Sequence, residues 1–263
     1  MPADHWSGGD RYEAYVGRWS RMVAPRFVDD LGVPSGRRWL DVGCGTGAVT
    51  SAILLQAEPS SVVGIDPSRA FVEQAAAMIV EPRVRFVVGD GASSPFEDGS
   101  FDAVVSGLVL NHVPHHGAVV AEMCRVAASG GTVAAYIWDY RGRMDVIRRF
   151  WDAAVAVDAA AARVDQGANC TICSPEALAA AFEAAGLTEV DAHPIDVPTR
   201  FRDLDDYWTP FLGAVGPAPA YVASLAPDAR DAIRQRLAAT LPIAADGSID
   251  LIARALAVRG QRR

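Results

Sequence analysis

The chain has 263 residues, with 24 basic side chains against 32 carboxylates and a net charge of −8. All of the cations are arginine, and the absence of lysine excludes Schiff-base catalysis and the lysine-dependent phosphate sites of P-loop and kinase folds. The acidic balance lacks the positive field with which a non-specific nucleic-acid binder displaces counterions, so no nucleic-acid partner is expected.

The first residues, MPADHWSGGDRYEAYVGRW, contain no apolar core of a secretory signal. From about Asp10 to Leu31, Tyr12, Tyr15, Trp19, Met22, Phe27 and Leu31 stand at mostly helical spacings, and Pro25 is expected to divide the segment into two helices. Arg37 to Val42 then reads as a strand ending at a glycine loop, with a helix from Ala48 to Gln56. Val62–Asp66 is a second strand, followed by a helix from Pro67 to Ile79. Val84–Gly89 is a third strand and Phe101–Ser106 a fourth, with a helix from about Gly117 to Ala128 and a fifth strand at Thr132–Trp138. Further helices are expected at about 142–163 and 175–185, a strand at Val190–Val197, and a last strand within Ser248–Arg259. Val- and Ile-rich strands alternating with helices predict an α/β protein with a doubly wound sheet, whose loops after each strand share one ligand edge. The expected organisation is a single domain: an N-terminal helical segment (1–36), a core sheet (37–199 and 248–263), and a helical cap (200–247) inserted between the last two strands and interrupted by the GPAP of Gly216–Pro219.

The strongest signal is Leu40-Asp41-Val42-Gly43-Cys44-Gly45-Thr46-Gly47. Its glycines let the backbone turn tightly and meet a ligand without a Cβ. Such a loop by itself serves dinucleotide and adenosyl ligands alike; Gly43, Gly45 and Ala48 also fit the nicotinamide pattern G-x-G-x-x-G/A. The acids separate the two readings. Asp41, at the first strand's end, suits an ammonium and would repel a pyrophosphate. Asp66 ends the second strand, where its carboxylate can accept ribose hydroxyls, and Asp90 ends the third, where it can hold an adenine amino group.

In this order LDVGCGTG, VVGIDPS, FVVGDGASSPFEDGSFDAVVS, NHVP and AEMCRVAASGGT resemble class I S-adenosylmethionine-dependent methyltransferases. The likeness is to their small-molecule branch, the type 11 domain of ubiquinone and menaquinone biosynthesis methyltransferases. It covers about residues 37–138 and the preceding YEAYVGRWSR. The resemblance implies a Rossmann-like, seven-stranded sheet with its last strand antiparallel. It implies S-adenosylmethionine as cofactor, with S-adenosylhomocysteine as product and no metal. Asp41, Gly43 and Gly45 would hold the methionine part, Asp66 the ribose, and Asp90, Gly91 and Ala92 the adenine. Leu108 would lie beside the sulfonium, and Arg18 is a candidate partner for the methionine carboxylate or else a solvated helix charge.

A sulfonium methyl is already activated, so positioning the acceptor is the main task, and a base is needed where a hydroxyl must lose its proton. His112, in Asn111-His112-Val113-Pro114-His115-His116 after the fourth strand, is the base candidate; structural packing is the competing reading. His115 and His116 read as loop surface. No Asn/Asp-Pro-Pro-aromatic sequence or Pro-Cys pair marks nucleobase methylation. Cys170-Thr171-Ile172-Cys173 reads as two small apolar residues near a helix start, and the four cysteines as reduced. Tyr207, Trp208, Phe211 and Tyr221 either line an apolar acceptor pocket or form the cap's own core. The expected protein is a cytoplasmic methyltransferase of a small, apolar or aromatic molecule, without a membrane or nucleic-acid partner. A nicotinamide oxidoreductase and a non-catalytic adenosyl-ligand binder are the alternatives.

Overall fold

The computed structural model describes residues 18–213 and 216–263, and of Arg18 the backbone alone. In chain order the elements begin with α1 (Arg18–Leu31), β1 (Arg38–Val42), α2 (Ala48–Gln56), β2 (Ser61–Asp66), α3 (Arg69–Met78), β3 (Val84–Val88), β4 (Phe101–Gly107), α4 (His116–Val126) and β5 (Ala127–Trp138). They continue with α5 (Asp145–Val157), α6 (Gln166–Asn169), α7 (Pro175–Ala184), β6 (Thr188–Phe201), α8 (Leu204–Trp208), α9 (Pro217–Ser224), α10 (Pro227–Thr240) and β7 (Ile249–Gln261). The described residues fall into two compact units, one of 20–137, 174–195 and 255–263, the other of Trp19, 138–173 and 196–254.

The strands form a seven-stranded sheet of order β3-β2-β1-β4-β5-β7-β6. β1 lies at its centre, parallel to β2 and β4, with Leu40 opposite both Val63 and Val104. Helices cover both faces of such a sheet, so its middle strands read as continuous apolar runs rather than alternating ones. Accordingly Trp39, Leu40, Val62, Ile65 and Ala103–Val105 are buried. The chain's last strand reverses direction. Gly130 N–H donates to Arg262 O while Arg262 N–H donates to Gly131 O, and Asp139 N–H donates to Arg254 O, so β7 runs antiparallel to β5. Because the order turns back after β1, the carboxyl ends of β1 and β4 diverge into adjoining loops, the usual ligand crevice of this topology.

Three expectations about local structure are corrected. Pro25 does not split the first helix; it lies inside α1. Losing one backbone hydrogen bond to proline costs about 3 kcal/mol. Burial of Trp19, Val23, Phe27, Val28 and Leu31 on one stripe returns roughly 1.5–3 kcal/mol for each large side chain, so packing wins. The helix expected over 142–163 ends at Val157, because Asp158 turns extended and its carboxylate accepts the Ala160 N–H, starting a separate 3-10 turn. The break expected over Gly216–Pro219 is shorter: Gly216, at φ 91°, caps α9, and Pro217–Pro219 already lie in that helix's first turn.

In the second unit Phe150 is the aromatic centre. It stacks on Phe211 at 4.5 Å and meets Trp151 edge-on at 5.1 Å. Tyr207 is fully buried and its hydroxyl donates to Val146 O at 2.7 Å. Among the described residues no helix is long and apolar enough to cross a membrane.

The segment between β3 and β4 is held by Glu122 of α4. Its carboxylate accepts from Ser94 N–H at 2.8 Å and Ser94 Oγ at 2.7 Å, and pairs with Arg125 at 2.7 Å. Chiefly the Arg125 hydrogen bond brings the Glu122 pKa down to about 2. A carboxylate depressed in the fold contributes stability above its unfolded value near 4.3 and loses it as pH falls towards 2. Glu122→Ala should therefore cost about 1–3 kcal/mol at neutral pH, lowering Tm by roughly 2–4 °C per kcal/mol. Calorimetric scans should show that difference shrinking between pH 5 and 2.

Candidate functional site at the carboxyl edge of the sheet

The glycine loop between β1 and α2 is tied to the end of β2. Gly43 and Cys44 both donate to Ile65 O, at 2.7 and 3.1 Å, and Gly45 donates to Asp66 Oδ2 at 3.0 Å. Gly43 has φ 71°, and a Cβ there would run into the Val109 side chain, so the loop after β4 packs directly on it. Gly45 has φ 51°, and a Cβ there would meet nothing within 4 Å. Its backbone is thus open to a ligand.

Asp41, the penultimate residue of β1, is fully buried. Its Oδ2 accepts from the Thr50 N–H at 3.0 Å and the Thr50 hydroxyl at 2.7 Å, at the start of α2. Its Oδ1 is buried with no partner. Desolvation raises the Asp41 pKa to about 7, opposed by the Thr50 hydrogen bonds and assisted by the charge of Asp66. A buried carboxylate oxygen with neither donor nor counter-ion costs free energy until a cation meets it. The donor set fits an ammonium.

Asp66 ends β2, nearly buried, with its pKa raised by desolvation. Oδ1 accepts from Ser68 N–H at 2.8 Å and Oδ2 from Gly45 N–H, so its first role is to anchor the loop. Each oxygen retains a lone pair that can accept a hydroxyl. Asp90 is exposed after β3; its Oδ1 accepts from Ala92 N–H at 2.9 Å, closing a turn. A Cβ on Gly91 would stand 2.6 Å from Val42 Cγ1, so this turn packs against the end of β1. Leu108, nearly buried, takes the left-handed φ of 60°, with its N–H donating to Tyr136 O at 2.7 Å. That conformation costs about 1–2 kcal/mol in a non-glycine residue, strain of the kind found at ligand edges.

The fold therefore gathers Asp41, Gly43, Gly45, Asp66, the Asp90–Ala92 turn and Leu108 on one edge. The Arg18 side chain lies outside the described residues. His112 follows in the Leu108 loop, its N–H donating to Val109 O at 2.8 Å. Its residue surface is exposed, and partial desolvation of the ring moves the pKa below the ordinary histidine value. Asn111 was not singled out by its sequence position, although a polar amide beside the buried Leu110 is the available signal. Its Nδ2 and Oδ1 are both enclosed without a partner. No cluster of three or more His, Cys, Asp or Glu fit for a metal occurs among the described residues.

The C-x-x-C pair departs from expectation. Cys170 and Cys173 form a disulfide, because the turn after α6 brings their Cα atoms to 5.5 Å. Cys44 and Cys124 are free. Burial pushes the Cys44 thiol well above its ordinary range, which suits a space-filling side chain rather than a nucleophile.

Residues 40–135 match the family described as a methyltransferase domain. The chain is 33% identical over 179 residues to a 2-methyl-6-phytyl-1,4-hydroquinone methyltransferase of Synechocystis sp., covering 67% of this chain and 55% of that protein. It is 41% identical over 113 residues to a demethylmenaquinone methyltransferase of Staphylococcus aureus, covering 41% of this chain and 46% of that one. The chain thus spans about half the length of the curated relatives it matches. Its fold is similar to a Haemonchus contortus phosphoethanolamine N-methyltransferase 2 solved with phosphomonomethylethanolamine and S-adenosylhomocysteine. That likeness has a TM-score of 0.59 at 16% identity, over 97% of this chain and 57% of that one.

An ammonium that meets Asp41 Oδ1 must compete with the proton that the buried carboxyl takes up near pH 7. S-adenosylhomocysteine affinity should therefore weaken by up to about tenfold per unit as pH falls below 7. Calorimetric titration from pH 5.5 to 9 reads this directly; a flat dissociation constant would remove Asp41 as the ammonium partner.

Proposed function

We propose, from the match of residues 40–135 to the methyltransferase domain family, that the chain transfers a methyl group from S-adenosylmethionine to a small, apolar or aromatic acceptor. The observation that carries this reading is the partnerless Oδ1 of buried Asp41, beside the open Gly45 backbone and within the same edge as Asp66. When bound, S-adenosylmethionine supplies a methyl on a positively charged sulfur with a neutral leaving group. Asp41 would take the ammonium, and the Gly43 and Gly45 backbone the methionine chain. Asp66 would accept from the ribose, the Asp90–Ala92 turn would bracket adenine, and Leu108 would border the sulfur, with Arg18 the candidate for the carboxylate.

What remains for the protein is orientation of the acceptor, worth up to about 7–11 kcal/mol of barrier in well-aligned systems. His112 follows Leu108 in the same loop, where a neutral ring could take a proton from an acceptor hydroxyl. Asn111 offers one amide donor and one acceptor in the same loop for fixing an oxygenated group. The relatives' names denote a phytyl hydroquinone and a demethylmenaquinone, which supports an apolar, quinol-like acceptor here. We take the chain to work as a single domain.

Calorimetry with S-adenosylhomocysteine should show binding that Asp66→Ala weakens at least tenfold, and a phenol, quinol, amine and carboxylate panel should contain a methylated product. Binding of NADH without S-adenosylhomocysteine would replace the reading by hydride transfer. Cofactor binding with no acceptor methylated would leave an adenosyl-ligand binder instead. For His112 as base, the acid limb of kcat/KM should fall below the ordinary histidine value, since desolvation disfavours the charged ring. His112→Ala should lower kcat by about 100-fold or more; full turnover in a folded His112→Ala protein would end its role as base.

A further inference from the structure

We propose that Cys170 and Cys173 are a reversible thiol–disulfide site that exchanges with small-molecule thiols of the glutathione class. The bond spans three positions, from the residue that closes α6 to the one before Ser174. Cross-linking so short a loop removes little entropy from the unfolded chain. The turn is held by other means as well. Arg148 pairs with Asp165 at 2.6 Å, Asp165 Oδ1 accepts the Gly167 N–H at 2.8 Å, and Asn169 Nδ2 donates to Asp165 O at 2.8 Å. None of those bonds involves either sulfur.

The surroundings also provide for the reduced form. Cys173 is 2% exposed, and its Sγ lies 3.6 Å from the carbonyl oxygen of Trp138, the last residue of β5. A disulfide sulfur carries no hydrogen to donate across that distance, whereas a thiol does. Reduction thus creates a hydrogen bond at the end of β5 as it removes the cross-link. Cys170, being half-buried, is the accessible sulfur. A small-molecule thiolate attacks Cys170 Sγ, the S–S bond breaks, and the electron pair leaves on Cys173 Sγ, which takes a proton. A second thiolate then attacks the small-molecule sulfur of the mixed disulfide and releases Cys170, which is protonated in turn. Two small thiols are oxidised to one disulfide as the protein disulfide becomes two thiols.

The test is independent of methyl transfer. Full-length protein is equilibrated over glutathione ratios from fully reduced to fully oxidised, quenched with an alkylating maleimide, and digested with trypsin. As the chain has no lysine, peptide Val164–Arg200 carries both of these cysteines and neither Cys44 nor Cys124. It should pass from doubly alkylated to disulfide-linked along the series and return on adding dithiothreitol, with circular dichroism unchanged. The Cys170→Ala/Cys173→Ala double variant should unfold cooperatively, close to the reduced wild type. A peptide alkylated at every ratio overturns the proposal, as does a disulfide that opens to thiol only in denaturant.

Discussion

The Ile65 carbonyl oxygen accepts two backbone N–H groups, those of Gly43 and Cys44, and the neighbouring Asp66 accepts a third from Gly45. This pinning of the glycine loop to the end of β2 is the constraint on which the rest of the site depends. It requires left-handed backbone at Gly43 and Gly45. It also leads the chain into α2 at the point where Thr50 meets the Asp41 carboxylate through both its backbone and its hydroxyl. Val109 then fills the space that a side chain at position 43 would take, which brings the Leu108–His112 loop to the same edge.

That arrangement concentrates negative charge where the protein offers little to balance it. Asp41 and Asp66 are both withdrawn from water, and each makes the neighbourhood less favourable for charge; desolvation raises both pKa values. Hydrogen bonds from Thr50, Gly45 and Ser68 stabilise part of that charge. The remainder at Asp41 Oδ1 is a standing destabilisation that a bound cation would relieve. Strain at Leu108 and the enclosed Asn111 amide lie on the same edge. Fold stability and ligand affinity are thereby linked through a few named atoms.

The second unit is built on different physics. Its helices pack around Phe150 and Phe211, and Tyr207 satisfies its buried hydroxyl on Val146 O. The turn near Cys170 is fixed by the Arg148–Asp165 ion pair, with the disulfide added to a frame that is already bonded. An aromatic core of this kind explains why sequence spacing alone left two roles open for Tyr207, Trp208, Phe211 and Tyr221: the same residue types serve an internal core and an apolar binding surface.

The order of strands and helices from Arg38 to Trp138 was legible in the sequence because parallel, fully buried strands demand unbroken Val and Ile runs, and turns between them demand glycine or an acid. Asp41, Asp66 and Asp90 could be read as strand-end acids for the same reason. Tertiary structure decided the matters in which packing or proximity overrides local preference. It carried α1 through Pro25, where one buried stripe outweighs a missing hydrogen bond. It left Asp41 Oδ1 without a partner, enclosed the Asn111 amide, and lowered the His112 pKa, since desolvation depends on what the rest of the chain brings close. It joined Cys170 to Cys173, because a turn's path, not its composition, sets the distance between two sulfurs.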